Sequence, residues 1–145
     1  VLQQPPRYFV YGGLVFAPLT KNLLLDLGWS RGPAEMMAQA FRSGDTREPG
    51  RELVVLQRIL GDEVNRGYDD VGPGLVKAID GVPPGDLPGA LELVERGAAP
   101  YLSVELESGQ IVAIERAAVR RRQQEILKTY EVRADRSVEL TRKGQ

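Results

Sequence analysis

The feature that most constrains this chain is a pair of adjacent glycines, Gly12 and Gly13, followed at once by an apolar run. Adjacent glycines can take positive φ angles and let another backbone approach closely. The run from Leu14 to Ala17 is predicted to form a strand. Two interpretations follow. The glycines form a tight β-turn between two core strands, or they form a loop whose backbone N–H groups make an anion-binding nest.

The second interpretation carries a function. If the strand after the glycines is a sheet edge, a guest peptide can pair with it while the nest holds the peptide's C-terminal carboxylate. Pro18 favours an edge or a strand end, because proline cannot donate to a β-ladder. The candidate peptide-binding residues of this first half of the site are Gly12, Gly13, Leu14, Val15, Phe16 and Ala17.

A helix is predicted over residues 87–96. Asp86 is a suitable N-cap, and Gly97 ends the helix. Four apolar residues recur at the spacing i, i+3, i+4 and i+7, which places them on one face. We expect this face to pack inward against the sheet, and its members are Leu87, Ala90, Leu91 and Val94.

The rest of the sequence alternates between strand and helix patterns. Strands are predicted over residues 7–11, 53–60 and 75–80, and a hairpin around Ser108-Gly109 joins residues 101–106 to 110–115. A helical insert occupies residues 20–50, and a last helix spans residues 117–130. This order indicates an α+β domain over residues 7–130, with a linker at 1–6 and a frayed polar tail at 131–145.

Composition excludes several classes of function. The 145 residues contain no cysteine and no histidine, which excludes disulfides, thiol catalysis, Cys/His zinc sites and a Ser-His-Asp triad. We therefore predict no catalytic residue, metal ligand or cofactor site.

The charge of the chain does not indicate a nucleic-acid partner. Its net charge of −1 provides no overall positive potential that would attract the phosphate backbone. The three arginines at 120–122 indicate a solvated helix face paired with Glu115 and Glu125.

Membrane spans are not predicted either, since no apolar run reaches about 18 residues. The sequence starts at Val1 rather than Met. We therefore expect it to be a fragment or processed product of something longer.

Three phrases resemble parts of PDZ domains. Residues 13–16, Gly-Leu-Val-Phe, resemble the Gly-Leu-Gly-Phe carboxylate loop, although Val15 replaces its second glycine. Residues 75–83 resemble the strand and Asp-Gly turn that precede the second PDZ helix, and residues 86–94 resemble that helix. More narrowly, residues 12–20 and 65–70 look like the terminal PDZ-like domain of Deg (Do-like, HtrA-related) serine proteases. The resemblance covers roughly residues 8–119.

The resemblance implies a small antiparallel β-sandwich or barrel capped by helices, with a helical insert after the second strand. It implies a non-catalytic module that binds C-terminal or extended peptides by strand addition, with the helix at 87–96 as the opposite wall of the groove. The alternative is an oligomer-assembly domain whose groove is occluded by a neighbouring domain or subunit. The implied partners are protein C-termini, or the protease domain and neighbouring subunits of a parent serine endopeptidase.

Overall fold

The computed structural model describes residues 7–20, 23, 52–68 and 70–142. The predicted linker at 1–6 and nearly all of the predicted helical insert lie outside the described residues. The strands are β1 (Phe9–Tyr11), β2 (Leu14–Pro18), β3 (Val54–Ile59), β4 (Gly74–Ile79), β5 (Tyr101–Leu106) and β6 (Ile111–Glu115). The described helices are a 3-10 turn (Glu63–Asn65), α1 (Leu87–Arg96), α2 (Arg116–Thr129) and α3 (Val138–Arg142).

The six strands form an antiparallel sheet in sequence order, β1-β2-β3-β4-β5-β6, that does not close into a barrel. This is an α+β fold of the PDZ type, as the sequence predicts. Strands β3 and β4 share only two residue pairs, Val55 with Leu75 and Leu56 with Gly74. The β5–β6 hairpin is regular over five pairs and turns at Gly109, where φ is +94°. None of the described helices is long and apolar enough to cross a lipid bilayer.

Helix α1 has the predicted bounds and the predicted N-cap, although Gly97 follows it with a φ of −60° and does not form a left-handed cap. The Asp86 carboxylate accepts the Gly89 N–H at 2.7 Å, which satisfies one of the free donors of the first turn. Its apolar face lies in the main core with β2, β4, β5 and β6. The four residues of that face, Leu87, Ala90, Leu91 and Val94, are all buried.

The segment after α2 differs from the expected frayed tail. It runs beside β1, where Ser137 N–H donates to the Tyr8 carbonyl at 3.0 Å and Val10 N–H donates to the Asp135 carbonyl at 2.7 Å. Leu140 of α3 is only 3% exposed and belongs to the core. Backbone hydrogen bonds to β1, the ion pair of Arg136 with Glu95 and the buried Leu140 side chain together hold the segment.

Truncation of Leu91 tests the packing of α1. Leu91→Ala should lower the free energy of unfolding by about 2–5 kcal/mol, because it removes buried methylene groups and leaves a cavity. Urea denaturation measures the change. The matched control is Leu93→Ala on the half-buried side of the same helix, which should cost clearly less. A loss below about 0.5 kcal/mol for Leu91→Ala would contradict the packing, since core truncations cost more than that.

Candidate functional site

Gly12 and Gly13 form the two-residue turn of the β1–β2 hairpin, and both are buried. Their φ angles are +59° and +87°, which L side chains adopt rarely. A Cβ on Gly12 would lie 2.7 Å from Ile114 Cδ1 and 2.8 Å from Val119 Cγ2, and one on Gly13 would overlap the Leu60 carbonyl. Conformation and space therefore both require glycine. The structure has the tight turn between two core strands.

The polar groups of this turn bind other parts of the protein. Gly12 N–H donates to Gln123 Oε1 at 2.9 Å, and the Gly12 carbonyl accepts from Asn65 Nδ2 at 2.9 Å. The Gly13 carbonyl accepts from Leu60 N–H at 2.7 Å. The nest predicted to hold a carboxylate is thus not open at Gly12, because an internal amide oxygen occupies the position of the ligand.

Strand β2 is not a sheet edge in the structure, so the condition for the peptide-binding interpretation is not met while β1 is paired. It pairs with β1 through Leu14, Val15 and Phe16, and with β3 along its whole length. Pro18 marks the end of the strand rather than an edge. A strand has two hydrogen-bonding sides, so a guest peptide cannot pair with β2 at Leu14 to Phe16 while β1 is in place.

Most of the side chains predicted to line a groove do come together, in one core cluster that also contains Phe9 of β1. Phe9 of β1 stacks on Phe16 of β2 with ring centroids 4.6 Å apart, and both rings are fully buried. The four apolar residues of α1 belong to the same core cluster. Of the candidate site, only Val15 keeps intermediate exposure.

Ion pairs and hydrogen bonds fix β1 at both ends. At its start, the Arg7 guanidinium forms ion pairs with the Glu52 carboxylate and, at 3.0 Å, with the Glu139 carboxylate. The Glu52 carboxylate also accepts the Leu87 N–H at 2.9 Å. These carboxylates raise the pKa of Arg7. At its end, Gln123 Nε2 donates to the Val10 carbonyl at 2.8 Å. The strand is therefore held at its start by a carboxylate that also binds the first turn of α1, and towards its end by Gln123 of α2.

Comparison with known proteins agrees with this geometry. A family model described as "PDZ domain" matches residues 1–139. The chain belongs to the PDZ family.

The relatives it matches are Do-like proteases. The chloroplastic protease Do-like 2 of Arabidopsis thaliana is 30% identical over 93% of this chain and 22% of its own length. The mitochondrial protein provisionally named protease Do-like 3, from the same plant, is 25% identical over 95% of this chain and 23% of its own length. The sequence thus spans less than a quarter of the length of each of these two relatives. The resemblance to Deg-type PDZ domains is confirmed, and PDZ domains are non-catalytic protein-interaction modules.

Sequence reasoning missed the polar side chains that organise this PDZ domain. Asn65 is fully buried. Its Nδ2 donates to the carbonyl of Gly12 and, at 2.8 Å, to the carbonyl of Leu60, and its Oδ1 accepts the Asp62 N–H at 3.0 Å. Gln123 accepts the Gly12 N–H and donates to the Val10 carbonyl, so it holds the end of β1 and the start of the turn. Asn65 stands three residues after Asp62, which is the capping-box spacing, so a local signal for it existed. No local pattern marks Gln123, because its partners at Val10 and Gly12 are far away in the sequence.

Arg116 is the third missed residue, and only 5% of its surface is exposed. Its Nη2 donates to Asp80 at 2.7 Å and to the Val94 carbonyl at 3.3 Å. Its Nη1 donates at 3.0 Å to the carbonyls of Ala99 and Tyr101. One guanidinium therefore joins α2 to the end of β4, to the end of α1 and to the start of β5.

A second arginine of α2 holds the 3-10 turn. Arg122 donates to the Asp62 carboxylate at 2.8 and 3.2 Å, and this hydrogen bonding lowers the pKa of Asp62 below its ordinary value of 3.8. Asp62 also accepts the Val64 N–H at 3.2 Å. Arg121 lies 3.9 Å from Glu115, as the predicted helix face requires, whereas Arg122 pairs with Asp62.

Replacement of Asn65 tests the clamp on the glycine turn. Asn65→Leu keeps the branched shape of the side chain but leaves the Gly12 and Leu60 carbonyls without this donor, at a cost of about 1–3 kcal/mol for each buried group. Urea denaturation measures the loss. The exposed Gln124→Leu on α2 is the control and should change stability by less than about 0.5 kcal/mol. Equal stability of the two variants would contradict the clamp.

The Asp62–Arg122 pair makes a prediction about pH. A lowered pKa in the folded state gives stability that is present above the ordinary value of 3.8 and is lost as the pH falls through the lowered value. Asp62→Asn should therefore destabilise the domain more at pH 7 than at pH 2.5, measured by urea denaturation at each pH. Asp70→Asn, at an exposed position without an ion pair among the described residues, is the control. A cost of Asp62→Asn that is the same at both pH values would contradict the assignment.

Proposed function

We propose that this PDZ domain serves in the assembly of a Do-like serine protease, with its peptide groove filled by its own first strand. The observation that carries the proposal is the pairing of β1 with β2, with the Phe9 ring buried on Phe16. A module whose recognition strand is already paired binds partners through its other surfaces. The Do-like names of its relatives, and the share of their length that it spans, support a place within a larger protease.

The burial of β1 supports a closed groove. Phe9 is fully buried and Val10 is 4% exposed, so opening the groove would transfer both side chains to water. At about 25 cal/mol per Å² of apolar surface, losing one such side chain from the core costs about 1.5–3 kcal/mol. A peptide would have to replace these contacts and the backbone hydrogen bonds of β1 before it gained any affinity.

The second candidate function is capture of peptide C-termini by exchange with β1. It is favoured by the short pairing of β1 with β2, which covers only three residue pairs. In this case the peptide binds to the glycine turn, Gly12 and Gly13, and to the strand Leu14 to Ala17. The opposite wall of the groove is the apolar face of α1, formed by Leu87, Ala90, Leu91 and Val94. Only molecules from which β1 has left the groove can bind, so the apparent affinity is the intrinsic affinity multiplied by the fraction of such molecules.

A peptide titration separates the two functions. Peptides with a hydrophobic C-terminal residue, as free acid and as amide, are added to the ¹⁵N-labelled domain, and backbone NMR shifts are followed. The assembly function predicts no shifts at Leu14 to Phe16 with either peptide. Acid-specific shifts there, together with faster hydrogen exchange at Val10, would contradict it and support exchange with β1.

A matched pair of variants sharpens this test. Arg7→Gln removes the anchor at the start of β1 and should favour its release, whereas Arg58→Gln changes an exposed arginine of β3 with no ion pair among the described residues. If β1 is exchangeable, Arg7→Gln binds the acid peptide more tightly than Arg58→Gln does. In the complete protease, deletion of this domain should reduce the assembled size seen by sedimentation velocity. An unchanged size would reject the assembly function.

A further inference from the structure

The residues that follow α2 and include α3 (the α3 segment, residues 132–142) are joined to the rest of the domain by an unusual turn. Val132 N–H donates to the Leu127 carbonyl at 2.8 Å, and Glu131 N–H donates to the Lys128 carbonyl at 3.2 Å. These two bonds form the Schellman motif, in which the residue after the helix cap takes a left-handed conformation. That residue is usually glycine, but here it is Glu131, with a φ of +57°.

Glutamate at this position strains the turn. The left-handed conformation crowds the Cβ of an L-residue against a backbone carbonyl oxygen, so side chains other than that of glycine disfavour it. Glutamate also has a high helix propensity. If the turn opens, α2 can continue as a straight helix through Glu131 and carry the α3 segment away from β1. A strained turn between two packed elements favours the exchange of one of them between copies of a chain.

The backbone contacts of the α3 segment are those of a strand added to a sheet edge. Ser137 N–H donates to the Tyr8 carbonyl at 3.0 Å, and Val10 N–H donates to the Asp135 carbonyl at 2.7 Å. Tyr8 N–H also donates to Ser137 Oγ at 3.1 Å, and its phenol donates to the Ala134 carbonyl at 2.7 Å. An edge strand can form such bonds with a segment of its own chain or with one from another chain.

Three side chains give this contact its specificity. The Arg136 guanidinium binds the Glu95 carboxylate of α1, and Glu139 lies 3.0 Å from Arg7. Leu140 is 3% exposed and belongs to the core. It is the only buried apolar side chain among the described residues of the segment, so release of the segment exposes little apolar surface. The charges and the leucine fit this edge, and a second copy of the chain carries the same set.

We propose that two copies of this chain exchange their α3 segments, so that each segment pairs with β1 and α1 of the other copy. The exchanged dimer keeps every contact of the segment and loses only the strained turn at Glu131, at the cost of the translational freedom of one molecule. The dimer therefore forms as the concentration rises. This exchange rests on the assembly function proposed above, and it supplies the partner, a second copy, and the contact.

Sedimentation velocity of the 145-residue chain over a range of concentrations tests whether the dimer forms. Glu131→Gly removes the strain of the closed turn in both copies and should weaken the dimer about tenfold. Glu131→Gln is the matched control, because glutamine meets the same left-handed penalty, and it should leave the dimer unchanged. A chain that is monomeric at every concentration, or dimers of equal strength from the two variants, would overturn the exchange.

Charge reversal shows whether the α3 segment is the part that is exchanged. Glu95→Arg brings two arginines together and Arg136→Glu brings two glutamates together, both in the closed chain and in a dimer of identical chains. Asp135 accompanies residue 136 in either form. Only exchange between the two different variants gives each copy an arginine–glutamate pair again.

The two variants, one of them ¹⁵N-labelled, are unfolded together in urea and refolded, and native mass spectrometry counts the dimers. The ratio of heterodimers to homodimers should exceed that of random mixing about tenfold, since like charges are replaced by ion pairs in both copies.

The control mixture combines Lys77→Glu with Glu105→Lys. These two residues lie 3.8 Å apart on β4 and β5, outside the α3 segment, so exchange of that segment cannot rejoin them. This mixture should give the proportions of random mixing. Dimers with random proportions in both mixtures would overturn the exchange while leaving the assembly function in place through another surface. An equal excess of heterodimers in both mixtures would also overturn it.

Discussion

The buried guanidinium of Arg116 is the interaction on which the architecture depends. It binds Asp80 and three backbone carbonyls, so it ties three regions of the protein to the start of α2. Asp80 is itself held in a positive-φ turn, where its other oxygen accepts the Ser103 N–H at 2.9 Å. Gly97 leaves room for the guanidinium, because a Cβ there would overlap it. A buried cation is tolerated only when it is paired and bonded in this way.

This arrangement connects the start of α2 to the β1–β2 hairpin. Helix α2 begins at Arg116, packs Val119 against Gly12, and then places Gln123 on the hairpin end. Successive turns of one helix thus hold α1 and β5, the shape of the glycine turn and the position of β1. The closed groove is a consequence of α2 as much as of β1 itself.

Much of the fold could be predicted from sequence because its signals are local. The cap, the apolar stripe and the final glycine bound α1, and Ser108-Gly109 places the hairpin. The neighbours of β2 could not be predicted, because a strand sequence does not state which strands flank it. The run that ends in Pro18 suits an edge as well as a strand end. Gln123 and Arg116 could not be recognised for a related reason, since most of their partners are backbone groups distant in the sequence, which no residue type marks.

The ion pair between Arg7 and Glu139 has a mechanical consequence. It brings the beginning and the end of the described fold side by side, at the same end of the antiparallel contact between β1 and residues 135–137. Tension applied across these two points would load the ion pair first and then the backbone hydrogen bonds one after another, as in the opening of a zipper. Bonds that break singly resist far less force than bonds that share a load. The seam over β1 is therefore the part of the domain that would yield first when the molecule is pulled.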